Sequence, residues 1–145
     1  MKHILLTAAA VLTLAACGSN TETESKDNQA VETNVDVTNG EVVTLSDDNM
    51  YRPGNPVSEP TIIDFNATWC GPCRAFKPVF HATAAKFPNV RFVSADVDKL
   101  VNTAKAYEIT AVPTIVFIST NGNDRRIEGM MDATQFEELV KNFSE

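Results

Sequence analysis

The sequence has no basic stripe, no apolar run long enough to cross a bilayer, and few histidines and cysteines. Its 12 lysines and arginines are outnumbered by 19 aspartates and glutamates, giving a formal net charge of −7. That balance argues against a nucleic acid partner, which calls for clustered positive charge. The apolar run near the N-terminus, residues 4–16, is thirteen residues long, short of the roughly 20 that a spanning helix needs. Histidine occurs twice, at His3 and His81, and cysteine three times, at Cys17, Cys70 and Cys73. Structural zinc takes four ligands, normally two cysteine pairs or a cysteine pair with a histidine pair. Beyond residue 16 the chain has one histidine to offer, so we expect no metal. No internal repeat is present, which excludes solenoid architectures.

What is present begins with an address. Lys2 and His3 precede the short apolar run, which ends Leu14-Ala15-Ala16-Cys17-Gly18. A basic start, a short apolar stretch and small residues at the end form a secretory signal pattern. The ending resembles the lipobox of bacterial lipoproteins, in which the cysteine is lipidated and becomes the first mature residue. We therefore expect residues 1–16 to be a signal peptide and Cys17 a lipidation site. The protein would then face an extracytoplasmic space, on the periplasmic side of a bacterial membrane, and be lipid-anchored to it. One acyl chain alone holds only marginally, and several hold stably. A plain signal peptide cleaved nearby, with Cys17 incidental, is the alternative. Residues 17–40 are rich in Thr, Glu, Asn, Asp and Ser and contain no aromatic residue. Such a segment buries too little surface to offset its ordering entropy, and we expect a disordered tether.

Residues 41–145 carry the periodicities of a folded domain. Residues 41–45 read as a short strand. Pro53, Gly54, Pro56 and Pro60 then break any long helix, leaving room for one turn around Asp47–Tyr51. Residues 61–65 form a second apolar strand, interrupted by Asp64. After it, Phe76, Val79, Phe80, Thr83 and Phe87 recur at three- and four-residue intervals, the spacing of one helix face. Pro72 suits the first turn of that helix, where its missing N–H costs nothing. Residues 89–97 alternate as a strand, and residues 98–107 are helical with Leu100, Val101, Ala104 and Tyr107 inward. Residues 114–118 form another strand, and Asn121-Gly122 supplies a turn into residues 125–128. Asp132 followed by Gln135 makes a capping box for a last helix, with Phe136, Leu139, Val140 and Phe143 inward.

Trp69-Cys70-Gly71-Pro72-Cys73 is the motif that carries chemistry. A lone Cys-x-x-Cys serves redox work and zinc alike, and a structural disulfide closing so short a loop stabilises little. The whole run resembles the active site of the thioredoxin family. Asp64 matches that family's buried acid, Pro78 its mid-helix proline, Val112-Pro113-Thr114 its cis-proline loop, and Gly122 and Gly129 its late glycines. The resemblance spans residues 41–145. It departs at Asn66, where a second tryptophan is usual, and at Ser94 or Ala95, where many bacterial members place a lysine near the buried acid. The proline-rich stretch 52–60 also replaces much of the usual first helix.

The resemblance implies an α/β thioredoxin fold, with a central mixed sheet of about five strands flanked by helices on both faces. It also implies a thiol–disulfide oxidoreductase with no separate cofactor, its redox-active disulfide being Cys70–Cys73. Cys70 would be the nucleophile, Cys73 the resolving cysteine and Asp64 the group that exchanges a proton with Cys73. Trp69, Gly71, Pro72, Val112 and Pro113 would form the substrate groove. Protein disulfides would be the substrates, a membrane protein the electron donor, and the working unit a monomer. Gly-Pro between the cysteines points to a reductant. An oxidase or isomerase in the same compartment and a non-catalytic binding module are the competing readings.

Overall fold

The computed structural model describes residues 40–145. The expected signal peptide, Cys17 and all of the expected tether except Gly40 lie outside the described residues. The elements run β1 (Val42–Thr44), β2 (Thr61–Asn66), α1 (Gly71–Ala84), β3 (Arg91–Asp96), α2 (Val101–Ala106), β4 (Thr114–Ile118), β5 (Asp124–Glu128) and α3 (Ala133–Ser144). The strands join in one mixed sheet ordered β1-β3-β2-β4-β5. β1 and β2 run parallel to β3, β4 runs antiparallel to β2, and β5 antiparallel to β4. This is the five-strand thioredoxin architecture that the motifs implied.

The central strands are apolar throughout because both sheet faces are covered. Ile63, Phe65, Val93, Ala95, Val116 and Ile118 pack beneath α2 with Leu100, Ala104 and Tyr107. Their neighbours Ile62, Phe92, Ile115 and Phe117 face Phe76 and Phe80 of α1 and Phe136 and Val140 of α3. Phe136 has its ring centroid 5.1 Å from that of Phe76 and 5.6 Å from that of Phe80. Burying a ring of this size stabilises by roughly 1.5–3 kcal/mol. The second layer thus clamps α1, and with it the start of α1, against the sheet.

One helix starts later than the sequence expectation. The helix expected over 98–107 begins only at Val101. Asp96 accounts for the delay: its carboxylate accepts from the Asp98 N–H, and its carbonyl from those of Lys99 and Leu100. Those bonds hold residues 97–100 as a turn. The delay also changes the inward face, since Val101 is 58% exposed and Thr103 is fully buried in its place. Leu100 offers no capping side chain, and Asp48, from the loop after β1, takes over. Its carboxylate accepts from the Thr103 and Asn102 N–H groups at 2.8 and 2.9 Å, and its carbonyl from Thr103 Oγ1 at 2.7 Å. Desolvation pushes the Asp48 pKa up, but these bonds outweigh it and the net shift is downward.

The proline-rich stretch forms turns and no helix. It is seated by the β4–β5 hairpin, where Gly122 has φ +86° and a Cβ would stand 2.6 Å from Gly54 O. Only glycine meets both conditions there. The capping box of α3 forms as expected, with Asp132 and Gln135 each bonded to the other's backbone N–H.

Candidate active site

Cys70 is the N-cap of α1, with extended backbone, and its Sγ accepts from the Cys73 N–H at 3.1 Å. Pro72 fills an early helical position at no loss of a hydrogen bond. Cys73 lies one turn further on, and the two cysteines form a disulfide with Cα atoms 5.3 Å apart. Both are 4% exposed, while Gly71 and Pro72 between them are exposed. The Cys73 N–H and the positive end of the helix dipole both act at Cys70 Sγ. An anion at that sulfur is favoured when the bond is open.

The peptide bond between Val112 and Pro113 is cis. It leads directly into β4, and Val112 O stands 3.6 Å from Cys70 Sγ. Pro113 is buried, and its carbonyl accepts from the Gly129 N–H at 2.8 Å, which ties the loop to the end of β5. Trp69 is 67% exposed, and its indole N–H donates to Asp98 Oδ2 at 2.9 Å. Trp69 therefore stands outside the core, anchored at its polar edge.

Asp64 is buried in β2 on the face toward α1, where it lines a cleft of about 290 Å³ together with Cys73. Arg74, Lys77 and His81 of α1 line the same cleft. Burial drives the Asp64 pKa up to about 7, against the opposing pull of an Asn66 hydrogen bond and the Lys77 charge. A carboxyl so placed changes protonation near neutrality. Its Oδ2 is 3.3 Å from Asn66 Nδ2, and its Oδ1 is buried without a partner among the described residues.

Of the residues expected to form the site, Cys70, Cys73, Val112 and Pro113 converge, Trp69 flanks them, and Asp64 shares a cleft with Cys73. Cys17 lies outside the described residues. Asp98 was missed, and so was the role of Ser94, whose Oγ accepts from Asn66 Nδ2 at 2.9 Å. Asn66 was legible as a neighbour of Asp64, because residues two apart on a strand share a face. Among the described residues, no group of three or more His, Cys, Asp or Glu could hold a metal ion. The electron-carrying group is part of the chain.

The thioredoxin family model matches residues 41–142. Thioredoxin H2 of Arabidopsis thaliana is 47% identical over 68 residues, which are 47% of this chain and 51% of that protein, about half its length. A thioredoxin of Borreliella burgdorferi is 36% identical over 85 residues, covering 58% of this chain and 73% of that one. The oxidized form of mitochondrial thioredoxin 3 from Saccharomyces cerevisiae superposes with a TM-score of 0.60 at 32% identity, over 72% of this chain and 98% of that one. The agreement of sequence, sheet order and disulfide position leads to one conclusion: the chain belongs to the thioredoxin family and is a thiol–disulfide oxidoreductase whose electron carrier is its own Cys70–Cys73 pair.

Proposed function

We propose that the protein reduces disulfides of other proteins outside the cytoplasm, held at a membrane by lipid on Cys17. The observation that carries the chemistry is Cys70 at the start of α1 with the Val112 carbonyl 3.6 Å from its sulfur. A substrate segment lying extended along Val112 would pair with its backbone, a small case of strand addition. Trp69, Gly71 and Pro72 border that groove.

In the reduced protein the Cys70 thiolate attacks one sulfur of the substrate disulfide, and the other sulfur leaves as a thiolate. Asp64 takes the Cys73 proton. Cys73 then attacks Cys70 Sγ, the bond from Cys70 to the substrate breaks, and the second substrate sulfur departs and is protonated. Two electrons have passed to the substrate, and Cys70–Cys73 is oxidised. Outside the cytoplasm those electrons have to be replaced by a membrane donor. Gly71-Pro72 supports the reducing direction, since no histidine stands between the cysteines to stabilise their reduced form.

The redox midpoint against glutathione tests the direction. A reducing value, below about −230 mV, is expected, and a value near that of a strongly oxidising disulfide catalyst, about −120 mV, overturns it. Metabolic labelling with a fatty acid tests the anchor. The wild-type chain takes up label and Cys17→Ala does not; equal labelling of both, or of neither, removes the anchor.

A further inference from the structure

Asp64 and Asn66 leave β2 on one face, and Ser94 is the register partner of Asp64 on β3. The Asn66 amide has two hydrogens and three acceptors around it. Asp64 O and Ser94 Oγ each lie at 2.9 Å, and Asp64 Oδ2 lies at 3.3 Å. The two short bonds use the two hydrogens, so the contact to Oδ2 is a shared one. Oδ1 of the same carboxyl is buried with no partner among the described residues. The two oxygens are therefore unlike. A donor aimed at Oδ2 favours negative charge there and opposes a proton, whereas a proton on Oδ1 displaces no bond.

We propose that Asn66 is a positioning residue that directs the Asp64 proton to Oδ1, and that Ser94 weakens this control by competing for the amide hydrogens. The proposal rests on the reading of Asp64 as proton acceptor for Cys73. The ionisable side chains that line the cleft with the carboxyl are Arg74, Lys77 and His81 of α1, joined by Cys73 once the disulfide is open. Its partners on β3 and β4, Ser94 and Ile115, carry no charge. Asp96, the β3 register partner of Asn66, is the nearest acid on those strands, and its carboxylate is engaged by the Asp98 N–H. β3 thus acts on the proton through Ser94 and its bond to Asn66, and α1 acts through the Lys77 charge.

The test titrates the Asp64 carboxyl carbon by NMR in the oxidised full-length chain and records the pH profile of disulfide exchange with a disulfide-bonded peptide. Asn66→Ala should move the Asp64 midpoint up, changing its ionisation constant by about threefold, as expected for one shared bond to a charged group. Ser94→Ala should move it down, because the released hydrogen turns to Oδ2. The double variant should match Asn66→Ala. A merely loosened strand pair would move both single variants alike, so an upward shift in Ser94→Ala overturns the proposal. So does an unmoved midpoint in Asn66→Ala. Asp64→Asn separates the two readings. If it leaves the exchange profile unchanged while the two midpoints still move oppositely, the proton-acceptor role fails and the positioning by Asn66 stands.

Discussion

Cys73→Ser should stop turnover and leave Cys70 covalently joined to its substrate. Cys73 is 4% exposed, one helical turn from Cys70, with its sulfur already placed to bond the other. Attack from such a position is intramolecular, and well-oriented groups reach effective concentrations on the order of 10⁵ M or more. Serine keeps the size and the helix but offers no thiolate, so release of the substrate falls by about a thousandfold or more. The adduct should appear as a mass increase on Cys73→Ser, disappear on treatment with dithiothreitol, and be absent from Cys70→Ser. The variant should stay folded, because a disulfide closing so few residues adds little to stability. A Cys73→Ser protein that turns over at the wild-type rate without an adduct would refute the two-step exchange.

Asp64→Asn should stabilise the protein strongly at high pH and hardly at all at low pH. Below about pH 4 the carboxyl is protonated in the folded and the unfolded chain alike, and burial carries no charge penalty. Between about pH 4 and pH 7 the unfolded chain ionises while Asp64, its pKa raised by burial to about 7, holds its proton. Stability therefore falls as pH rises through this window. Above it the carboxylate is charged and buried, and the whole penalty is present. A difference of about three pH units corresponds to something on the order of 4 kcal/mol. Asparagine mimics the neutral acid and escapes that penalty. Urea titrations at pH 3.5 and pH 8 check it: the two proteins should agree at the lower pH and diverge at the higher. A stability difference independent of pH would mean that the charge at Asp64 carries no folding cost.

These two residues also mark how far a linear reading reaches. The redox pair was legible because its chemistry is local: Cys70 and Cys73 lie one turn apart, and the helix that activates them begins between them. Asp64 was legible from its place among Ile62, Ile63 and Phe65, since an acid in a strand covered on both faces has nowhere to expose its charge. The capping box at Asp132 and Gln135, and the aromatic face of α1, were equally readable, because both follow from spacing within one helix. The α2 start was not, because Asp96 held the preceding residues in a turn that propensity does not record.

By itself, then, the sequence determined the element order, the site of electron transfer and the burial of its acid, all of which depend on near neighbours or on a simple period. The tertiary structure decided what surrounds them. It brought Ser94 to Asn66 across 28 residues, Asp98 to Trp69 across 29, and Asp48 to Thr103 across 55. No period along the chain encodes such meetings. They follow from the crossover that lays β3 beside β2 and from the packing of α2 beneath the sheet, so the surroundings of the redox pair and its acid become visible only once the sheet is built.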